Sequence, residues 1–254
     1  PNFSRTQKYD VIGGTIHEVA HSYFPMLVNT NERREGFFDE GLVSYLSYLI
    51  EQTWSPDFQS FYGAPKSVVP VMQGSFSKPI ELADKLHSKL DSHYHIPATA
   101  WNILGTQIIG ERKLLTVLNR FISQKAHKRA YFSDLVTHLN QNTKVDLIPF
   151  FFDWFESGRR VDMAVHSVEK NNNHTRITIA NLGGIRMPVQ VSVVLKNGIV
   201  LDIHVRYQDW LNGDGQFHLF DIPDSSEVIK VEIDGMLRSA DINRSNNVWF
   251  SLPH

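Results

Sequence analysis

The chain has 254 residues, a formal net charge of −2 and 42% apolar residues, with no cysteine. Near-neutral charge leaves no electrostatic footprint for nucleic acid. Absence of cysteine excludes disulfides and thiolate metal sites, and no run approaches the twenty apolar residues of a membrane span. The length suits one large or two medium domains. No segment reads as a signal peptide, so the compartment stays open.

The first helical pattern runs through "GGTIHEVAHSYFPM" and is expected to end near Pro25 or Leu27. His17 and His21 lie four apart, so on a helix they share one face and can turn two imidazoles toward one ion. Glu18, about 100° round the helix, can face a metal-bound water and take its proton. With 12 histidines in the chain, the pattern arises by chance in about 2% of such sequences. A solvated amphipathic helix is the alternative, and a third ligand is needed, because hydrolytic zinc takes three protein ligands and one water.

A polar loop, "NTNERRE", follows, and apolar residues resume at helical spacing at Phe38, Leu42, Leu46 and Leu49. Glu40 falls near the start of this second helix, on a different stripe that it shares with Ser44 and Ser47. A carboxylate on a helix packed against the first is the geometry the third ligand requires.

Two histidines flanking a glutamate, followed after eighteen positions (22–39) by Glu40 in "FFDEGLVSY", resemble the signature of the M1 zinc aminopeptidases, a gluzincin family. The resemblance implies one Zn²⁺ per chain held by His17, His21 and Glu40, with Glu18 as general base. It also implies a tyrosine that hydrogen-bonds the oxyanion. Tyr94, in "HYHIPATAWNIL" and 73 residues after His21 (94 − 21), occupies a similar setting, although Pro97 stands where the family usually has glycine. Its flanking histidines, His93 and His95, read as surface or pocket-wall residues.

Further along, Leu114, Leu115, Leu118, Phe121 and Ile122 form one apolar stripe, and Leu135, Val136 and Leu139 another after an N-cap at Ser133 or Asp134. The aromatic run "FFFDWF" resembles the end of the family's helical stretch. Its Phe151, Phe152, Trp154 and Phe155 are expected to pack between helices. The basic run from Glu111 reads as a solvated helix face.

Beyond about residue 160 the period changes to two. Asn197-Gly198 between alternating runs signals a hairpin, and several short strands complete a module that reads as a sandwich. His204 and His218 read as ordinary strand residues, Asp202 and Asp209 as solvated.

The expectation is an α+β multidomain chain. A mainly α-helical, thermolysin-like zinc peptidase domain spans 1–159, and a small all-β sandwich domain spans 160–254. The implied activity is hydrolysis of peptide bonds at the amino terminus of a peptide substrate, with no nucleic-acid partner and no membrane span. The family's amine-anchoring glutamate would lie before Pro1, and Asp10, the one acidic residue in 1–16, sits in a different context. The chain is therefore expected to be a truncated piece with reduced activity. A related gluzincin endopeptidase or hydrolase and a non-catalytic M1-like binding module remain open. The latter would be marked by loss of Glu18 or a ligand, and neither is lost.

Overall fold

A computed structural model describes residues 4–86, 88–212, 215–223 and 227–251. The chain divides into two compact units, Pro1–Gly158 and Arg159–His254. Helices fill the first and antiparallel sheets the second, an α+β architecture.

In the first unit, helix α1 spans Arg5–Ala20. Ser4 caps it: the Ser4 hydroxyl accepts from Gln7 N–H, and the Gln7 side chain accepts from Ser4 N–H. This reciprocal arrangement satisfies two donors that a helix start otherwise leaves bare. Regular α-geometry stops at Ala20. The chain continues as a wider turn over Ser22–Leu27, broken at Phe24, whose backbone is extended. The helix thus ends earlier than its apolar pattern suggested, because Phe24 leaves helical angles to bury its ring completely.

Helix α2, Glu32–Trp54, is capped by Asn31, which accepts from Arg34 N–H. A break in helical angles at Glu35 means its regular part begins at Gly36. From Gly36 to Tyr45 nearly every side is buried, so the expected single apolar stripe understates how central this helix is. Helix α4, Ile96–Ile103, is buried throughout and packs on α2. Close approach depends on Gly41, where an added Cβ would overlap the Pro97 ring. Pro97 itself sits where the wider turn Leu90–His95 gives way to regular α4.

Helices α3 (Pro65–Gln73), α5 (Glu111–Lys125), α6 (Phe132–Asn142) and α7 (Ile148–Phe151) complete the unit. The Phe132 ring meets Phe37 and Phe155, each at 4.9 Å between centroids, and Trp101 meets Phe151 at 5.4 Å. Such pairs contribute about 0.5–1.5 kcal/mol each beyond area burial. Three expectations need correction. Leu115 and Phe152 are exposed, and the buried stripe of α5 is Leu114, Val117, Leu118 and Phe121. Helix α6 begins at Phe132, with the Asp134 carboxylate accepting from Tyr131 N–H, so Asp134 acts from inside the first turn.

The second unit holds strands β1 (Met163–Lys170), β2 (His174–Asn181), β3 (Val189–Leu195), β4 (Val200–Val205), β5 (Phe217–Pro223), β6 (Val228–Ile233) and β7 (Val248–Phe250). They form two antiparallel sheets, ordered β1-β2-β5 and β4-β3-β6-β7. Strand β3 alternates buried and half-buried residues, as a strand with one core face should. Its hairpin to β4 turns through Lys196, Asn197 and Gly198. Gly198 N–H bonds the Leu195 carbonyl at 2.9 Å, and Gly198 alone of the three takes the left-handed conformation, φ +86°, that closes such a three-residue loop. Strand β1 packs on β6 and β7 of the other sheet. His204 and Asp202 are exposed on β4, whereas Asp209 is not simply solvated but pairs with Arg206 at 2.7 Å.

Candidate metal centre

His17 and His21 occupy successive turns at the C-terminal end of α1, and α2 packs across them. Three ligand-capable atoms converge there. His17 Nε2 and His21 Nε2 are 3.1 Å apart, and each lies 3.2 Å from Glu40 Oε2. Among the described residues this is the one group of three or more such side chains with ligand atoms so close together.

Zinc–nitrogen and zinc–oxygen bonds of about 2.0–2.2 Å at tetrahedral angles set neighbouring ligand atoms roughly 3.3 Å apart. The observed triangle has that size. Protonation supports the same reading. His21 Nδ1 lies 2.7 Å from the Phe24 carbonyl, which only accepts, so Nδ1 carries a hydrogen. In the neutral ring Nε2 is then a bare lone pair facing a carboxylate oxygen and a second imidazole. Only a proton or a cation makes that triangle attractive. Accordingly, the hydrogen bond to Glu40, opposed by burial and helped by Phe24, pushes the His21 pKa up to about 9. Burial resists ionisation of Glu40, but hydrogen bonds from His17, His21 and Tyr94 outweigh it and hold this carboxyl far below the usual range. The donor set and its spacing fit zinc.

Behind the ligands, Asp39 accepts from the Thr30 hydroxyl at 2.7 Å and from Glu40 N–H at 2.8 Å. These bonds fix the backbone that carries Glu40. Such supporting contacts orient metal ligands and are as much part of a site as the ligands themselves.

Tyr94 is half-buried in the turn Leu90–His95 that leads into α4. Its ring stacks on His17 at 5.8 Å, and its hydroxyl hydrogen-bonds Glu40. Burial, then that bond, raise its pKa, so the hydroxyl keeps its proton. Glu18 is exposed and shares with His17 and Tyr94 the wall of a cavity of about 370 Å³. All five residues singled out in the sequence therefore meet at one place. The histidines beside Tyr94 differ. His93 is not at the surface: it is fully buried, and an added Cβ at Gly36 would come within 2.7 Å of its Nδ1. His95 is half-buried with its ring 4.6 Å from Tyr62.

Sequence reasoning missed the rest of the cavity wall. Gly13, Ser44, Ser47, Glu51, Phe58 and Tyr62 line it, and so does Asp10. The signal was present. Glu40, Ser44, Ser47 and Glu51 are spaced four, three and four apart, one stripe of one helix.

Site and fold together define a helical unit with a two-histidine, one-carboxylate cluster at a cavity, followed in sequence by an antiparallel β unit. No family model matches the chain, and no curated protein sequence does. Among solved structures, the chain is similar to aminopeptidase A of Legionella pneumophila, determined in complex with aspartic acid, with a TM-score of 0.69 and 14% sequence identity. The match covers 94% of this chain and 27% of that one. At this identity the likeness shows a shared aminopeptidase-like fold, and the chain spans about a quarter of the neighbour's length.

Proposed function

We propose that the chain is the zinc-binding part of an M1-type metallo-aminopeptidase, hydrolysing peptide bonds at the amino terminus of its substrate. The observation that carries this reading is the triangle of His17, His21 and Glu40 ligand atoms, 3.1–3.2 Å on each side, opening on a cavity walled by Glu18 and Tyr94. The helical unit acts as the thermolysin-like peptidase domain, and the β unit as the domain that follows it.

His17, His21 and Glu40 would hold one Zn²⁺. When bound, the metal supplies Lewis acidity and lowers the pKa of a water to about 7. Glu18, exposed at the cavity wall, accepts the proton of the attacking water and delivers it to the departing amine. The Tyr94 hydroxyl donates a hydrogen bond to the oxygen that becomes negative. A donor already in place gives several kcal/mol of stabilisation because nothing reorganises during the reaction. The phenol suits that task because its raised pKa keeps the hydrogen on oxygen.

Elemental analysis of the purified chain, paired with peptide turnover, tests this function. About one zinc per chain is expected, lost in His21→Ala and in Glu40→Ala. Metal-free protein after reconstitution, with both variants behaving as the parent, would refute it. The neighbour's aspartic acid is not carried over to this chain. An acidic side chain in this cavity would meet the carboxylates of Asp10, Glu18 and Glu51, with no lysine or arginine among the described lining residues.

A further inference from the structure

The two helix stripes that carry the metal ligands continue past them. On α1 the face runs back from His17 through Gly13, and on α2 it runs forward from Glu40 through Ser44 and Ser47 to Glu51. Small residues on both faces leave the space that becomes the cavity. At Gly13 the Glu51 carboxylate lies close against α1: an added Cβ would come within 2.9 Å of Glu51 Oε1. Since Gly13 lies four residues before His17, the Glu51 carboxylate sits roughly 6 Å along α1 from that ligand.

Glu51 is 7% exposed, and its side chain hydrogen-bonds the Ser60 hydroxyl. One neutral donor does not balance a buried charge, which is normally paired. Among the described residues lining the cavity there is no lysine or arginine, while Asp10 and Glu18 add two more carboxylates. Burial pushes the Glu51 pKa up, against the Ser60 hydrogen bond and the nearby His17. The walls between are apolar or aromatic: Phe58 is buried, its ring 4.5 Å from that of Tyr9, and Tyr62 lies 5.4 Å from Tyr94.

We propose that this cavity receives a basic side chain, lysine or arginine, from the substrate residue next to the scissile bond, with Glu51 as its charge partner. The inference rests on the peptidase reading above and names the substrate class of that site. Length supports it. A four-carbon stem ending in an ammonium spans about 6 Å, the offset between His17 and Glu51. The stem lies along the aromatic wall while its charged end reaches the carboxylate. A free α-ammonium is the competing occupant, and it is too short. It stands two bonds from the scissile carbonyl carbon, so it stays beside the metal ligands, a full helical turn from Glu51.

The experiment compares arginine with citrulline, its neutral isostere, in matched peptides bearing either residue on each side of one bond, using zinc-loaded protein. The arginine peptide is expected to show at least about tenfold higher kcat/KM, as a charge-assisted pair should. Glu51→Gln, which keeps size and removes charge, is expected to abolish the preference. Asp10→Asn, at an exposed position, is expected to reduce the preference severalfold. The parent ratio alone needs no variant, so a misfolded Glu51→Gln does not protect the idea. Calorimetry of free arginine against free citrulline gives the same comparison without catalysis. If no peptide is hydrolysed, the peptidase reading fails, and calorimetry still decides whether the cavity takes a basic side chain. Equal arginine and citrulline affinities, no measurable arginine binding, or a preference that survives in folded Glu51→Gln would each overturn the inference.

Discussion

A zinc ion held as proposed would compete with a proton for one atom, His21 Nε2, and that competition is measurable. The ring's other nitrogen is committed to the Phe24 carbonyl, so Nε2 is where the extra proton sits in the metal-free protein. The hydrogen bond to Glu40, against burial and with help from Phe24, raises this pKa to about 9. A raised histidine pKa stabilises the metal-free fold fully below pH 6.5, and that contribution is lost as the pH climbs through about 9. Zinc runs the other way, because it needs the lone pair. From pH 7.0 to 8.5 a bound zinc is expected to displace close to one proton from His21, and apparent affinity to rise about 25-fold, the slope flattening as pH nears 9. An imidazole with the ordinary value would change affinity by less than about 1.5-fold over the same range. Competition against a chromophoric chelator, corrected for the chelator's own protonation, reads the slope. Metal-bound water ionising near pH 7 also releases a proton, so the metal-free protein is titrated separately by NMR of the histidine rings. A His21 midpoint near 6.5, or zinc affinity flat above pH 7, would refute the reasoning.

Glu18→Gln is expected to retain zinc and lose about 10²–10⁴ in kcat, since the amide cannot accept water's proton; parental turnover at full zinc occupancy would remove Glu18 from the role of base. Tyr94→Phe is expected to retain zinc and lose about 10²–10³, the usual cost of one oxyanion donor, with little change in KM; an unchanged rate would assign the oxyanion contact elsewhere. Gly41→Ala is expected to destabilise the fold by about 1–3 kcal/mol, because its Cβ overlaps Pro97 in the contact of α2 with α4. Urea denaturation reads that loss, and a midpoint equal to the parent's would contradict the packing described.

What was legible in the sequence was local. The four-residue spacing of His17 and His21 is a property of one helix, and a face shared by Glu40, Ser44 and Ser47 can be read from period alone. Asn197-Gly198 announces its own turn. The failures all depend on what lies across from a residue. His93 looks polar enough for the surface, yet it is buried because Gly36 leaves room for its ring. Leu115 and Phe152 look apolar enough for the core, yet neighbouring positions take the inward face and leave them in solvent. Glu51 was one helical turn beyond the stripe already read, but its significance comes from Gly13 on another helix. Ser4 and Gln7 form a capping pair at the Ser-x-x-Gln spacing, another purely local signal.

The ligands of this centre come from two helices of unequal anchorage. Glu40 rides on α2, which is enclosed by its neighbours from Gly36 to Tyr45, with Asp39 and Thr30 bracing its backbone. His17 and His21 come from the end of α1, whose described side chains are all partly or fully exposed apart from Ala20. A helix with so little apolar surface covered gains little from packing and belongs to the parts of a protein that open first. A metal joined to both would act as a clasp. It would tie a weakly held outer helix to a firmly held inner one, and part of its binding free energy would become local folding free energy of α1. Loss of such an ion would also loosen the helix that carries Gly13 and the cavity's near wall, coupling metal occupancy to the shape of the cavity.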